Sequence, residues 1–86
     1  MSYTLLIKKQ AKKMLQSLSR PDKTRITEKI VLLGANPDDP FLDIKKLKGE
    51  PYFRLRVGQW RIIFDKDDQI KIVSIEKIKS RGDVYK

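Results

Sequence analysis

The stretch from Tyr52 to Ile78, strand-like runs broken at Gly58 and at Asp67-Asp68-Gln69, constrains the fold more than any other part of the sequence. Side chains of a strand point to opposite faces in turn, so Phe53, Leu55 and Val57 share one face while Arg54 and Arg56 share the other. Three strands are expected, Tyr52 to Val57, Gln59 to Lys66 and Ile70 to Ile78, joined at Gly58 and at Asp67-Asp68-Gln69. Connections this short make an antiparallel meander. A meander with one apolar face needs a second layer to cover it.

The first half of the chain supplies that layer. Ser2 to Lys8 is a short alternating run rich in strand formers, read as an opening strand. From Lys9 to Ser19 the residues Ala11, Met14, Leu15 and Leu18 recur at helical spacing opposite a lysine-rich side. Pro21 suits the first turn of a second helix, with Ser19 or Arg20 at its cap. That helix, Pro21 to Leu33, has a core-facing stripe of Ile26, Ile30, Val31 and Leu33, with Gly34 read as its C-terminal cap. Ala35 to Asp43 is a turn-rich loop anchored by Phe41 and Leu42, and Ile44 to Pro51 is a basic connection. The expected architecture is α+β, one domain over 1–86, a helical hairpin on a four-stranded, mainly antiparallel sheet in the order β-α-α-β-β-β.

Composition narrows the chemistry. The 86 residues include no cysteine and no histidine, which removes disulfides, thiolate nucleophiles, imidazole bases and the usual zinc ligands. Catalysis, if any, falls to Lys, Arg, Asp, Glu, Tyr, Ser or Thr, and no metal site or cofactor is expected. The formal charge of +9 implies a polyanionic partner, either nucleic acid or an acidic protein segment. No apolar run is long enough to span a bilayer, and the N-terminal run is too short and wrongly flanked for a signal peptide, so a cytoplasmic address and no membrane partner are expected.

The hairpin at Gly58 brings Arg61 back beside Arg54 and Arg56, a cluster of planar donor forks suited to phosphate. A solvated strand face, with the arginines paired to Glu76 or Asp65, is the plainer alternative and stays open here. Tyr52, Trp60 and Tyr85 are candidates for stacking on bases, although Trp60 also fits core packing. Lys45, Lys46 and Lys48 form a second basic run suited to backbone phosphates. Lys79, Arg81 and Tyr85 follow the last expected strand, where the chain end can fold over the sheet. Arg81-Gly82-Asp83 spells an adhesion tripeptide without the setting for one and is set aside.

The run Leu47-Lys48-Gly49, then Tyr52-x-Arg54-Leu55-Arg56-Val57-Gly58-x-Trp60-Arg61-Ile62-Ile63-Phe64, then Arg81-x-Asp83-Val84-Tyr85, resembles the RelE/ParE superfamily of toxins from type II toxin-antitoxin systems. The resemblance covers essentially the whole chain. It implies a RelE-like endoribonuclease that cuts messenger RNA in the ribosomal A site, with 16S ribosomal RNA contacts, by metal-free attack of the ribose 2′-hydroxyl. It implies catalytic roles for Arg61, Arg54, Lys79 and Tyr85, RNA contacts from Arg56, Arg81, Lys45, Lys46, Lys48 and Tyr52, and a cognate acidic antitoxin. Many members carry His before the terminal Arg, where this chain has Ser80, so a histidine acid is excluded. The base is left open among Lys79, Lys48, Glu50, Asp43 and ribosomal groups. A ParE-like gyrase poison and an inactive antitoxin- or RNA-binding module are the alternatives.

Overall fold

The computed structural model describes residues 2–80. In chain order the elements are β1 (Thr4–Ile7), α1 (Lys9–Ser17), α2 (Arg20–Ala35), β2 (Asp43–Lys46), β3 (Phe53–Val57), β4 (Trp60–Asp67) and β5 (Ile72–Ser80). The strands form one mixed sheet in the order β1-β5-β4-β3-β2. β1 lies parallel to β5, and the other neighbours are antiparallel. The helical hairpin carries the chain from the β1 edge to the β2 edge and covers one face on the way. The other face is left open.

The meander forms as the alternation predicts, but the sheet has five strands, not four. Asp43–Lys46 pairs with β3 from Asp43↔Arg56 to Lys46↔Phe53. Four residues with a single apolar side chain, Ile44, carry too little alternation to be legible as a strand. The last strand also starts and ends later than expected. The Asp67 carboxylate accepts the backbone N–H groups of Gln69 and Ile70 at 2.9 and 3.1 Å, which extends the turn, and Lys71 adopts φ 56°. Lys79 therefore lies within β5 and not in a terminal tail.

The core is built where the two layers meet. Leu55, Ile62, Phe64, Val73, Ile75 and Ile78 from the sheet and Ile26 and Leu33 from α2 are each less than 2% exposed. Phe53 stacks on Phe64 at a centroid distance of 5.5 Å. α1 contributes the buried Ala11, with Met14, Leu15 and Leu18 packed beside it. Val31 departs from the expected stripe and is 57% exposed. Ile26, Ile30 and Leu33 already complete a helical stripe, and one further residue rotates a side chain by about 100° away from it. Of the two expected loop anchors, Leu42 is buried and Phe41 is exposed; both lie in the turn before β2, where the Leu42 N–H donates to the Asp39 carbonyl at 3.1 Å.

Gly34 is not a cap. α2 continues to Ala35, and the N–H of Asn36 donates to the Leu32 carbonyl. The glycine instead permits a close approach: a Cβ there would stand 2.8 Å from Leu5 Cγ, and the Gly34 carbonyl accepts the Tyr3 N–H at 2.7 Å. β1 is thereby fixed against the end of α2. At the other end, Ser19 precedes the helix, Pro21 occupies its first turn, and the Ser19 hydroxyl donates to Asp22 at 3.3 Å.

Candidate nucleic-acid interface

The open face of the sheet carries the charge. Residues directly opposite in an antiparallel ladder share a face, with Cβ atoms about 4.5–5.5 Å apart. β3 and β4 pair Arg56 with Arg61, and β4 and β5 pair Arg61 with Lys79. The rung reads Asp43, Arg56, Arg61, Lys79, so three cations stand in a row across three strands, with Asp43, itself paired to Arg54, opposite Arg56 at the β2 end. Like charges placed opposite one another destabilise a sheet unless something of the other sign sits on them. Among the described residues no ion pair engages any of the three. Arg56 and Arg61, with Gly58 and Gln59, line a cavity of about 270 Å³ at the hairpin.

One rung further from that hairpin the row reads Lys45, Arg54, Ile63, Lys77. Arg54 shares the face with Arg56, as the alternation predicts, but it does not stand free. Its Nη2 donates to Asp43 at 3.2 Å, its side chain is 14% exposed, and its Nε is buried without a hydrogen-bond partner among the described residues. Arg54 is therefore committed to the β2 edge, while Arg56 and Arg61 are available to a ligand.

A second cavity, about 240 Å³, lies beside the row and is lined by Leu47, Glu50, Tyr52, Ile63, Glu76, Lys77 and Lys79. Tyr52 thus reaches the same face as the arginines. Trp60 does not: it pairs with Val57 on the helix-covered side and packs against the core, which settles it as packing. Lys45 is exposed on β2 and Lys48 on the following turn. Lys46 instead donates to the Glu50 carbonyl at 3.0 Å and lies 4.8 Å from the Phe53 ring centroid, so it caps the edge of the core. Arg81 and Tyr85 lie outside the described residues.

Glu76 and Lys77 were not among the sequence-derived site residues. Their signal is the spacing of Val73, Ile75 and Ile78, which breaks the two-residue period of the strand. A larger depression, about 520 Å³, runs over Leu18, Arg20, Lys23, Thr24, Thr27 and Glu28, but it is shallow and no partnered or buried functional groups converge there. Among the described residues no group of three Asp, Glu, His or Cys side chains is placed to hold a metal ion, and no helix is long and apolar enough to cross a membrane.

A separate polar cluster occupies the far end of the sheet. The Tyr3 hydroxyl donates to Asp68 at 2.7 Å, and Lys66 pairs with Asp38 at 3.0 Å and Asp68 at 3.8 Å. The hydrogen bond to Asp68, then desolvation and the nearby negative charge, push the Tyr3 phenol up to about 12. The same bond, helped by Lys66 and Lys71, holds the Asp68 carboxyl below its ordinary value. This cluster ties β1 to the β4–β5 turn.

A family model described as ParE toxin of type II toxin-antitoxin system, parDE, matches residues 3–85. The fold is similar to a chain of the archaeal RelE-RelB complex from Pyrococcus horikoshii OT3, at 34% identity and a TM-score of 0.82, covering 95% of this chain and 98% of that one. It is also similar to a chain of the RelB-RelE antitoxin-toxin complex from Methanococcus jannaschii, at 28% identity, a TM-score of 0.75 and coverages of 93% and 94%. The intact E. coli RelBE complex matches at 18% identity and a TM-score of 0.77, covering 92% and 96%, which speaks to the fold alone. No curated protein matches the chain.

Proposed function

Because the chain belongs to the ParE toxin family of type II toxin-antitoxin systems, within the RelE/ParE superfamily, we propose that it arrests translation as a ribosome-dependent endoribonuclease. The observation that carries this reading is the unpaired row Arg56, Arg61, Lys79 on the open face. Three cations held together at a cost to the sheet suit an RNA phosphate, and they suit its transition state better. Guanidinium groups fixed in advance around a phosphorane stabilise the charge that develops there without reorganising. Arg61, at the centre of the row, holds the scissile phosphate; Arg56 and Lys79 flank it. Tyr52 supports an adjacent base, and Lys45 and Lys48 extend the contact to neighbouring phosphates. Tyr85 and Arg81 complete the site as the superfamily pattern implies.

An acidic antitoxin neutralises this face in the cell, a reading supported by the charge and by the antitoxin complexes in which the relatives were solved. The site of action is the cytoplasm, where messenger RNA is translated. A second reading, poisoning of DNA gyrase without RNA cleavage, is favoured by the family model, which takes its description from ParE.

One experiment separates the two. The wild type and Arg61→Ala are induced in bacteria, messenger RNA 5′ ends are mapped by primer extension, and chromosomal breaks are monitored. Cuts within translated codons that vanish in Arg61→Ala are the expected result. Intact RNA with accumulating DNA breaks gives the gyrase reading, and binding to an antitoxin or RNA with neither effect marks an inactive module.

A further inference from the structure

The arginine row stabilises charge but cannot take up a proton, because a guanidinium stays protonated throughout the working pH range. A base must come from elsewhere, and the backbone of β5 presents one. Along this strand Ile75 and Ile78 are both fully buried, although residues three apart on a regular strand face opposite ways. The ladder shows how: Ile63 pairs with Lys77 and Phe64 pairs with Ile75, leaving Glu76 as an extra residue in a bulge. Bulges re-aim side chains in this manner and are frequent beside active sites. In a regular ladder Glu76 would face the helices. With the bulge it joins Lys77 on the open face and enters the 240 Å³ cavity with Tyr52, Ile63 and Lys79.

Glu76 differs from the other carboxylates nearby: Asp65, on β4, is likewise half-buried and without an ion pair among the described residues, but it does not line this cavity. Asp43 is held by Arg54. Glu50 lines the same cavity but is exposed on the connection between β2 and β3, off the strands of the sheet. Glu76 is half-buried on a strand, and no ion pair engages it among the described residues. Lys77 stands two residues, or about 7 Å, along the strand from Lys79, the direct neighbour of Arg61. A phosphate seated on Arg61 and Lys79 therefore brings the adjoining ribose over the cavity that holds Glu76.

Resting on the ribonuclease reading above, we propose that Glu76 is the general base of the cleavage. Its carboxylate takes the proton of the ribose 2′-hydroxyl as the 2′-oxygen bonds to phosphorus. The bond from phosphorus to the 5′-oxygen breaks, and that oxygen takes a proton from a lysine ammonium of the same cavity. The products are a 2′,3′-cyclic phosphate and a 5′-hydroxyl, and solvent returns the proton from Glu76 to the lysine.

The test uses a defined messenger RNA on ribosomes with an empty A site, cleaved in single turnover by the wild type, Glu76→Gln, Glu76→Asp and Arg61→Ala. Glu76→Gln keeps the shape of the side chain and its place in the bulge but cannot accept the proton. Its rate is expected to fall about 100-fold or more, in line with the loss of a general base, while RNA affinity is little changed. Glu76→Asp should recover part of the rate, and thermal unfolding should match the wild type in both variants. A wild-type rate in Glu76→Gln, or a loss of affinity that accounts for the whole defect, overturns the assignment and leaves the ribonuclease reading standing. RNA left intact by the wild type itself overturns both.

Discussion

At the residue scale, two contacts turn on single atoms. The Gly34 hydrogen that faces Leu5 decides how closely β1 approaches α2. Alanine at this position gains about 1 kcal/mol of helix propensity. It also drives a methyl group to 2.8 Å from Leu5 Cγ and 2.9 Å from Cδ1, and overpacking of this kind costs about 1–3 kcal/mol. The steric cost wins, so Gly34→Ala should lower stability by about 1 kcal/mol in chemical denaturation. An increase in stability would mean that β1 moves aside freely. The Tyr3 hydroxyl gives a second expectation. Its folded pKa lies above the ordinary value of a phenol, so the bond to Asp68 contributes fully below about pH 10 and is lost as pH rises toward about 12. Asp68 is shifted the other way, so its share is present above the ordinary carboxylate range and disappears as pH falls. Phenolate absorbance should show a late-titrating step from Tyr3, and Tyr3→Phe should remove that step. An unchanged late step would place it on another tyrosine.

At the element scale, β2 is held to the sheet by four backbone pairs and by Arg54 and Asp43, so the Arg54 side chain should matter to folding. The pair is exposed on its Asp43 side, and a double-mutant cycle with Arg54→Met and Asp43→Ala should return a coupling of about 0.5–1 kcal/mol. A coupling near zero would return Arg54 to the pool of free cations beside Arg56. β2 is also where the sequence is least legible. The meander announces itself through eight- and nine-residue runs with apolar residues on one face, whereas Asp43–Lys46 offers only Ile44. Both helices are legible through Ala11, Ile26, Ile30 and Leu33, but Gly34 reads as punctuation because its reason, the Leu5 side chain, is remote in sequence. The same holds at the site. Arg56 and Arg61 are legible as neighbours because a tight hairpin joins them. The bulge at Glu76 depends on how β5 registers against β4, a tertiary fact hinted at only by the spacing of Ile75 and Ile78.

At the scale of the whole molecule, charge and topology are segregated. The helical layer screens one face of the sheet, so the +9 charge finds its most ordered expression on the other, where Arg56, Arg61, Lys77 and Lys79 come from three consecutive strands. On the proposed reading RNA binds there and releases counterions, and each neutralised phosphate of a single strand contributes about −0.7 to the slope of log affinity against log salt concentration. Four contacts predict a slope of about −3 for a short single-stranded RNA followed by fluorescence anisotropy. Arg56→Ala should weaken binding similarly for all sequences and reduce the slope by about 0.7. Lys9→Ala, on the exposed surface of α1, should leave it unchanged, since α1 packs on the opposite side of the sheet. A slope that falls equally with Lys9→Ala would mean that RNA senses the net charge of the molecule. Only a slope tied to the strand-borne cations makes the open face a binding surface, because screening by salt acts on charges wherever they sit, whereas the change produced by one substitution reports where the phosphate was.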